Sequence, residues 1–316
     1  MFTVLGSITL KAAFVLLLLP FTMMDSSNKN YISPIFVIPL VVGVFLLCLY
    51  GFWQRYRTQK EQLEIRALKR PEIIGCIVLS FAQYMSWSFW NLFMIDGLVV
   101  HQNTTHRKAV FVTHVYSIST RVGAVLFCIA VFFTRRFKPI CLYLGLPLMI
   151  LGPELLINVH STGETSGVGY VTGCCFLYGL ASESIEIASQ LAVTVYVERE
   201  SIPIILFLVD MCTNLSGNIG LSVSRKTYKS MFTTALRDAL PAGNKTMPES
   251  IYRGGTAVQT RFPVGSEILT AINMAWEVYL QRNYIIVTAI LVAGFPALII
   301  WKNVYLNQKQ NKGMMI

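Results

Sequence analysis

Charge is what this chain has least of. Only 13% of its 316 residues are Asp, Glu, Lys or Arg, about half the share of an ordinary soluble domain. With 54% hydrophobic residues and a mean hydropathy of +0.57, a soluble globule would lack the polar surface to cover itself. That shortage excludes extracellular disulfide scaffolds, nucleic-acid-binding modules and ordinary cytosolic enzymes. Histidine is scarce, at four residues, and the cysteines are seven: Cys48, Cys76, Cys128, Cys141, Cys174, Cys175 and Cys212. Every cysteine falls inside an apolar run and none has CxxC spacing, so neither a disulfide framework nor a zinc site is implied. They read as small hydrophobes. No P-loop, GxSxG, HExxH or clustered His/Cys set occurs, so no enzyme, metal or cofactor is expected.

What the chain does have is long apolar runs. Eight are long enough to cross a bilayer, which takes about 20 apolar residues as helix. They are Val4–Met23, Ile35–Trp53, Ile73–Met94, Val110–Phe133, Ile140–Val159, Tyr170–Val195, Ile202–Val223 and Tyr284–Trp301. The third, fourth and sixth are the most polar of the set. Barrel strands would alternate over about 10 residues, and these runs do not. The expected fold class is therefore an all-α, polytopic membrane helical bundle of about eight transmembrane helices, because in lipid only helices and closed barrels satisfy their own backbone. Trp53, Trp87 and Trp90 read as bilayer-belt or core aromatics.

The net charge of +10 is explained by placement, not by nucleic acid. Arg55, Arg57, Lys60, Arg66, Lys69, Arg70, Arg135, Arg136, Lys138, Arg199, Lys302, Lys309 and Lys312 fall in alternate connections and the C-terminal tail. The short connections of the other side hold only Lys29, Arg107 and Lys108. Thirteen against three places the first side, and both termini, in the cytoplasm. Two glycosylation acceptor patterns, at Asn103 and Asn244, fall in connections assigned to the outside. Ala12–Pro20 resembles the apolar core of a signal peptide, but no A-x-A-like cleavage site follows, and the run is expected to remain as the first span.

Ionisable groups at membrane depth are costly and mark functional cavities. His114 and Arg121 lie seven apart, on one helix face. Glu183, Glu186 and Gln190 follow i, i+3, i+7 spacing; Asp210, Asn214 and Asn218 repeat every four residues. Glu154 follows Pro153 in a run loosened by Gly152. These groups are expected to line an internal cavity, with Arg121 paired to Glu183, Glu186 or Asp210 and with His114 or a glutamate carrying a proton. The competing reading is structural, because interhelical hydrogen bonds in membranes also serve packing. Ser216, Gly220 and Ser224, four apart, make a small-residue face for a close helix neighbour.

The connection Ser224–Asn283 is unusually long and carries a formal charge of +4. Tyr252, Arg253, Arg261, Trp276 and Tyr279 within it are candidates for substrate capture, since arginine holds oxygen-rich anions by forked hydrogen bonds. A solvated tether is the plainer reading.

Several stretches carry a resemblance. They are Gly167-Val168-Gly169-Tyr170 through Glu200-Ser201, then Asn218-Ile219-Gly220-Leu221-Ser222-Val223-Ser224, and Ala275-Trp276-Glu277-Val278-Tyr279-Leu280-Gln281-Arg282. They resemble the closing part of fungal major facilitator superfamily transporters of the siderophore–iron and glutathione-exchanger group. That group has fourteen helices, two six-helix bundles separated by an extra pair, with a long outer loop before the last. The resemblance implies that residues 1–53, with Leu5-Gly6-Ser7-Ile8 and Leu18-Leu19-Pro20-Phe21-Thr22, form the extra pair. Residues 54–72 would be a basic cytoplasmic linker, and 73–316 the C-terminal six-helix bundle with outer loop 224–283. Two departures stand out: no N-terminal bundle is present, and Arg225-Lys226 interrupt the small-residue run.

The function so implied is membrane transport of a siderophore–iron chelate or glutathione-like peptide coupled to protons, in the plasma membrane or an endosomal or vacuolar membrane. The expected partners are that solute, protons, the lipid bilayer and a complementary N-terminal half; nucleic acid is not among them. The alternative is a truncated, non-transporting half or partner subunit. The topology is directly testable. A tag placed after Ile316 should resist external protease in intact cells, and cleavage from outside would overturn the orientation.

Overall fold

In the computed structural model, the described residues are 9, 12–20, 34–57, 68–157, 166–199, 201–240, 247–263 and 265–306. Among them the regular secondary structure is all helix, with no strand. We label the helices α1 (12–20), α2 (Pro34–Arg57), α3 (Pro71–Val100), α4 (His106–Thr134), α5 (Lys138–Leu156), α6 (Ser166–Tyr196), α7 (Ile202–Ala239), α8 (Pro248–Gln259) and α9 (Glu267–Ile300). The chain is an integral membrane protein: α3, α4, α5, α7 and α9 are each long and apolar enough to cross a bilayer. Helix α6, at 31 residues, has the length but is more polar. In α2 the apolar part is the shorter stretch Phe36–Phe52.

Proline and capping chemistry set several boundaries. Pro71 and Pro248 open α3 and α8, where a missing N–H removes nothing a first turn would use. Ser266 opens α9 by accepting from the Leu269 N–H at 3.3 Å, with Glu267 in the favourable first turn. In α5 the turn Cys141–Gly145 widens to a π-helix just before Pro147, which cannot donate back to the preceding turn.

The bundle is organised around α3, which packs against α7, α9 and α6; α6 in turn packs against α4 and α5. The main core includes Phe89, Trp90, Met149, Tyr178 and Ile185. Trp90 packs against both Tyr116 and Tyr178, with ring centroids 4.8 and 5.4 Å away, so it is a core aromatic. The small-residue face of α7 does meet a close neighbour. Ser216 donates to the Phe81 carbonyl of α3, Ser88 donates to the Gly217 carbonyl at 2.9 Å, and Ser224 is buried. Helix α1 touches α7, where the Phe14 and Phe207 rings meet edge-on. Ile285, Val292 and Ile299, seven apart, leave an exposed apolar stripe on α9, the pattern of a lipid-facing surface.

The stretch read as a long outer loop is largely helix. Helix α7 does not stop near Val223 but continues to Ala239, and α9 starts at Glu267, seventeen residues before Tyr284. At 1.5 Å per residue these helices span about 57 and about 51 Å, well beyond the roughly 30 Å hydrocarbon core. Their overhanging ends and α8 enclose a second core of Tyr228, Phe232, Leu236, Ile251, Ile272, Trp276 and Tyr279. Burial of this aromatic set lets the helices persist outside the membrane. We call this unit the cap. It is fastened to the end of α3 by Thr256 donating to Asp96 at 2.6 Å and by Phe93 packed against Tyr228, with ring centroids 4.1 Å apart.

The opposite end is tied by charge. Lys302 pairs with buried Glu72 at 2.8 Å, Lys138 donates to the carbonyls of Ile299 and Trp301, and Arg70 donates to that of Tyr196. Basic residues that the sequence assigns to the cytoplasm thus gather at one end. Asn103, exposed with φ 47, and the cap lie at the other. Asn244 is outside the described residues.

The tightest contact is α4 on α6. A Cβ added at Gly123 would run into the Leu180 carbonyl, and one at Gly179 into Ser119. Replacing either glycine by valine is expected to destabilise the detergent-solubilised chain by about 1–3 kcal/mol, the usual range for overpacking. Gly173→Ala, where nothing lies within 4 Å, should melt like the parent. Equal melting of all three variants would show that the α4–α6 contact is not this close.

Candidate functional site

One face of the bundle gathers most of the intramembrane polar groups. Arg121, sixteenth of the 29 residues of α4, places Nη1 2.9 Å from Glu183 Oε1 on α6. Of the three carboxylates considered from the sequence, Glu183 is the partner. The arginine side chain is 78% exposed and the glutamate 19%, so the pair sits at the surface of this bundle rather than inside it. One turn along α6, Glu186 accepts a hydrogen bond from the Tyr84 hydroxyl of α3 at 2.9 Å. Behind these acids lies a buried polar layer. Gln83 donates to the Ser182 carbonyl and hydroxyl at 2.9 and 3.2 Å, Tyr116 donates to Ser182 Oγ at 3.4 Å, and Ser86 meets Tyr178 Oη at 3.3 Å.

Helix α7 brings its stripe to the surface as well. Asp210 and Asn214 are exposed. Asn214 donates to the Asp210 carbonyl and Asn218 to the Asn214 carbonyl, both at 2.8 Å, so each side chain folds back along its own helix. His114 and Gln190 are exposed. Glu154, on α5, is exposed too and has no ion pair among the described residues. Among the described residues no group of three His, Cys, Asp or Glu is placed to hold a metal ion. What the face offers chemically is three carboxylates, one guanidinium and neutral hydrogen-bonding groups.

No protein-family model matches the chain. Over all of its length it is 34% identical to siderochrome iron transporter 2 of Aspergillus fumigatus and 27% identical to MFS siderochrome iron transporter 1 of Ajellomyces capsulatus. Siderophore iron transporter mirB of Emericella nidulans is 24% identical over 99% of the chain. The chain is a relative of the fungal siderochrome iron transporters. It spans about half the length of these curated relatives, 52%, 53% and 52% respectively, consistent with a C-terminal half. The fold is shared with a solved bacterial transporter. A bacterial homologue of the human lysosomal transporter Spinster, solved inward-facing and unoccupied, superposes with a TM-score of 0.53. That match has 13% identity and covers 93% of this chain and 70% of that one.

The candidate residues of the cap range from buried to exposed. Trp276 and Tyr279 are not available for substrate capture as the sequence suggested. They are 1% and 0% exposed, packed around Tyr228, with Trp276 Nε1 donating to Gln259 at 2.9 Å. The overhang of α7 and α9 turns them inward. Arg253 and Arg261 are exposed, and Arg253 is held by Glu249 at 3.3 Å. Tyr252 is half-buried, with Lys229 Nζ 5.7 Å from its ring centre; burial raises its phenol pKa above the ordinary value.

Sequence reading missed Gln83, Tyr84 and Tyr116, which join the site only through partners on other helices. The polar content of the third and fourth runs was the available signal. The ion pair gives a sharp test. Arg121→Glu or Glu183→Arg alone sets like charges 3 Å apart in place of a pair, and should lower the yield of folded protein in membranes. The double reversal should restore most of it. Two independent, additive losses without rescue would remove the pairing.

Proposed function

We propose that the chain works as the C-terminal half of a proton-coupled siderophore–iron transporter. The polar face of α3, α4, α6 and α7 is its share of the solute pathway. The observation that carries this reading is the coincidence of two things: relatives named as siderochrome iron transporters match the chain end to end, and charged side chains at membrane depth are exposed on one side. An exposed guanidinium facing lipid is costly, by about 2.5 to over 10 kcal/mol depending on the estimate. The face is therefore one that a water-filled pathway and a complementary N-terminal half would cover, as in transporters that alternate by rocking two bundles about a central site.

In this mechanism Arg121, neutralised by Glu183, holds the electrostatics of the pathway near balance, and its remaining N–H donors meet hydroxamate or carboxylate oxygens of the chelate. Glu186, seated on the Tyr84 hydroxyl, is the proton carrier; protonation removes a charge at depth and releases the demand for a polar neighbour. Asp210, Asn214, Gln190 and His114 supply further hydrogen bonds. The exposed Arg253 and Arg261, with Tyr252 beside them, form an outer collecting surface on the cap. The ferric ion is cargo held by its chelator; among the described residues no group of three His, Cys, Asp or Glu is placed to hold it.

Uptake decides the matter. Cells lacking their own siderophore carriers, expressing this chain together with an N-terminal half taken from a relative, should accumulate a labelled ferric hydroxamate. Glu186→Gln should abolish the dependence on external acidity while the protein still reaches the membrane. Uptake of labelled glutathione with no ferric-chelate uptake would shift the substrate class. No uptake of either solute, despite both halves reaching the membrane, would leave the non-transporting partner subunit as the account.

A further inference from the structure

The turn between α4 and α5 presents two arginines that the transport pathway does not use. Arg135 adopts a left-handed backbone, φ 55, that ends α4. Its carbonyl accepts from the Leu306 N–H at 2.8 Å, which straps the segment after α9 across the turn. The Arg135 guanidinium lies over the Phe132 ring, 5.1 Å from its centre, and the Arg136 guanidinium lies 5.8 Å from the centre of the Tyr305 ring. Thr134 Oγ1 accepts from the Arg136 backbone N–H at 3.4 Å. Among the described residues neither arginine has a carboxylate within ion-pair distance. Nearby cations are already engaged: Lys302 with Glu72, Lys138 and Arg70 with backbone carbonyls.

Two guanidiniums, each set against an aromatic ring and each with five N–H donors, are therefore held ready for an anion. The surroundings say what kind. Phe132 and Phe133 on the last turn of α4, and Tyr143 and Leu144 in the π-turn of α5, are all exposed, at the end of two spans where apolar side chains meet the bilayer edge. A phosphate carrying acyl chains satisfies both features; a soluble anion satisfies only the first. We infer that this corner is a binding site for an acidic phospholipid, its headgroup phosphate held by Arg135 and Arg136 and its chains against the exposed aromatic surface. Orientation by positive charge alone asks only for charge near the membrane. Here each guanidinium lies against a ring and the turn that carries them is strapped through the Arg135 carbonyl; arginine's fork suits phosphate contacts.

The test is lipid retention by the purified 316-residue chain in mild detergent, read by native mass spectrometry against phosphatidylserine and phosphatidylcholine of equal chain length. Phosphatidylserine should be retained preferentially. Arg135→Gln with Arg136→Gln should weaken that retention roughly 10- to 30-fold, given the attraction expected per basic residue at such a surface. Arg135→Lys with Arg136→Lys should fall between, and Arg107→Gln with Lys108→Gln, at the other end of α4, should match the parent. Should the double glutamine variant fail to fold, Arg136→Gln alone carries the test and should still bind several-fold more weakly. Equal retention of the two lipids, an unaffected glutamine variant, or full displacement of the lipid by millimolar inorganic phosphate would each overturn the assignment.

Discussion

A guanidinium in the middle of a membrane helix is tolerated only where something neutralises it or water reaches it, and Arg121 meets that requirement through Glu183. The rest of the arrangement can be read as its consequence. To bring the two together, α4 must lie almost in backbone contact with α6, which the Gly123 and Gly179 positions allow. That approach carries Tyr116 to Ser182 and sets Glu186 within reach of Tyr84 on α3. Helix α3 is in turn held to α7 through Ser88, Ser216 and Gly217. A single costly charge thus defines which faces turn inward, which meet lipid and which remain polar and exposed.

Much of the helix order was legible from hydropathy, because an apolar run of bilayer length has few other ways to satisfy its backbone. Boundaries were less so. Val223 and Tyr284 marked where lipid-like composition ends, not where helix ends, and helix continues wherever an aromatic core can pay its entropy. Trp276 and Tyr279 looked like surface aromatics in a polar stretch. Only the packing of α8 between two overhanging helices shows that they face inward.

The candidate site was half legible. Periodicity alone put Glu183 with Glu186 and Asp210 with Asn214 on common faces, since those pairs lie on one helix. Tyr84 and Gln83 escaped because their partners are about a hundred residues away, and a lone tyrosine among tryptophans reads as apolar. Such cross-helix contacts leave no mark in local sequence. The relatedness to siderochrome iron transporters and the polar face are independent observations, and each gives the other its meaning: kinship suggests a solute, and geometry suggests where it would pass.

That face should meet water while the stripe on α9 meets lipid, and site-directed labelling separates the two. With the native cysteines replaced by serine, single cysteines at Gln190, Asp210 and Asn214 would be compared with ones at Ile285 and Val292 in intact membranes, using a charged, membrane-impermeant maleimide. The account predicts labelling of the first three and protection of the last two. Equal protection of all five would place the polar face against lipid or protein and contradict a water-filled pathway.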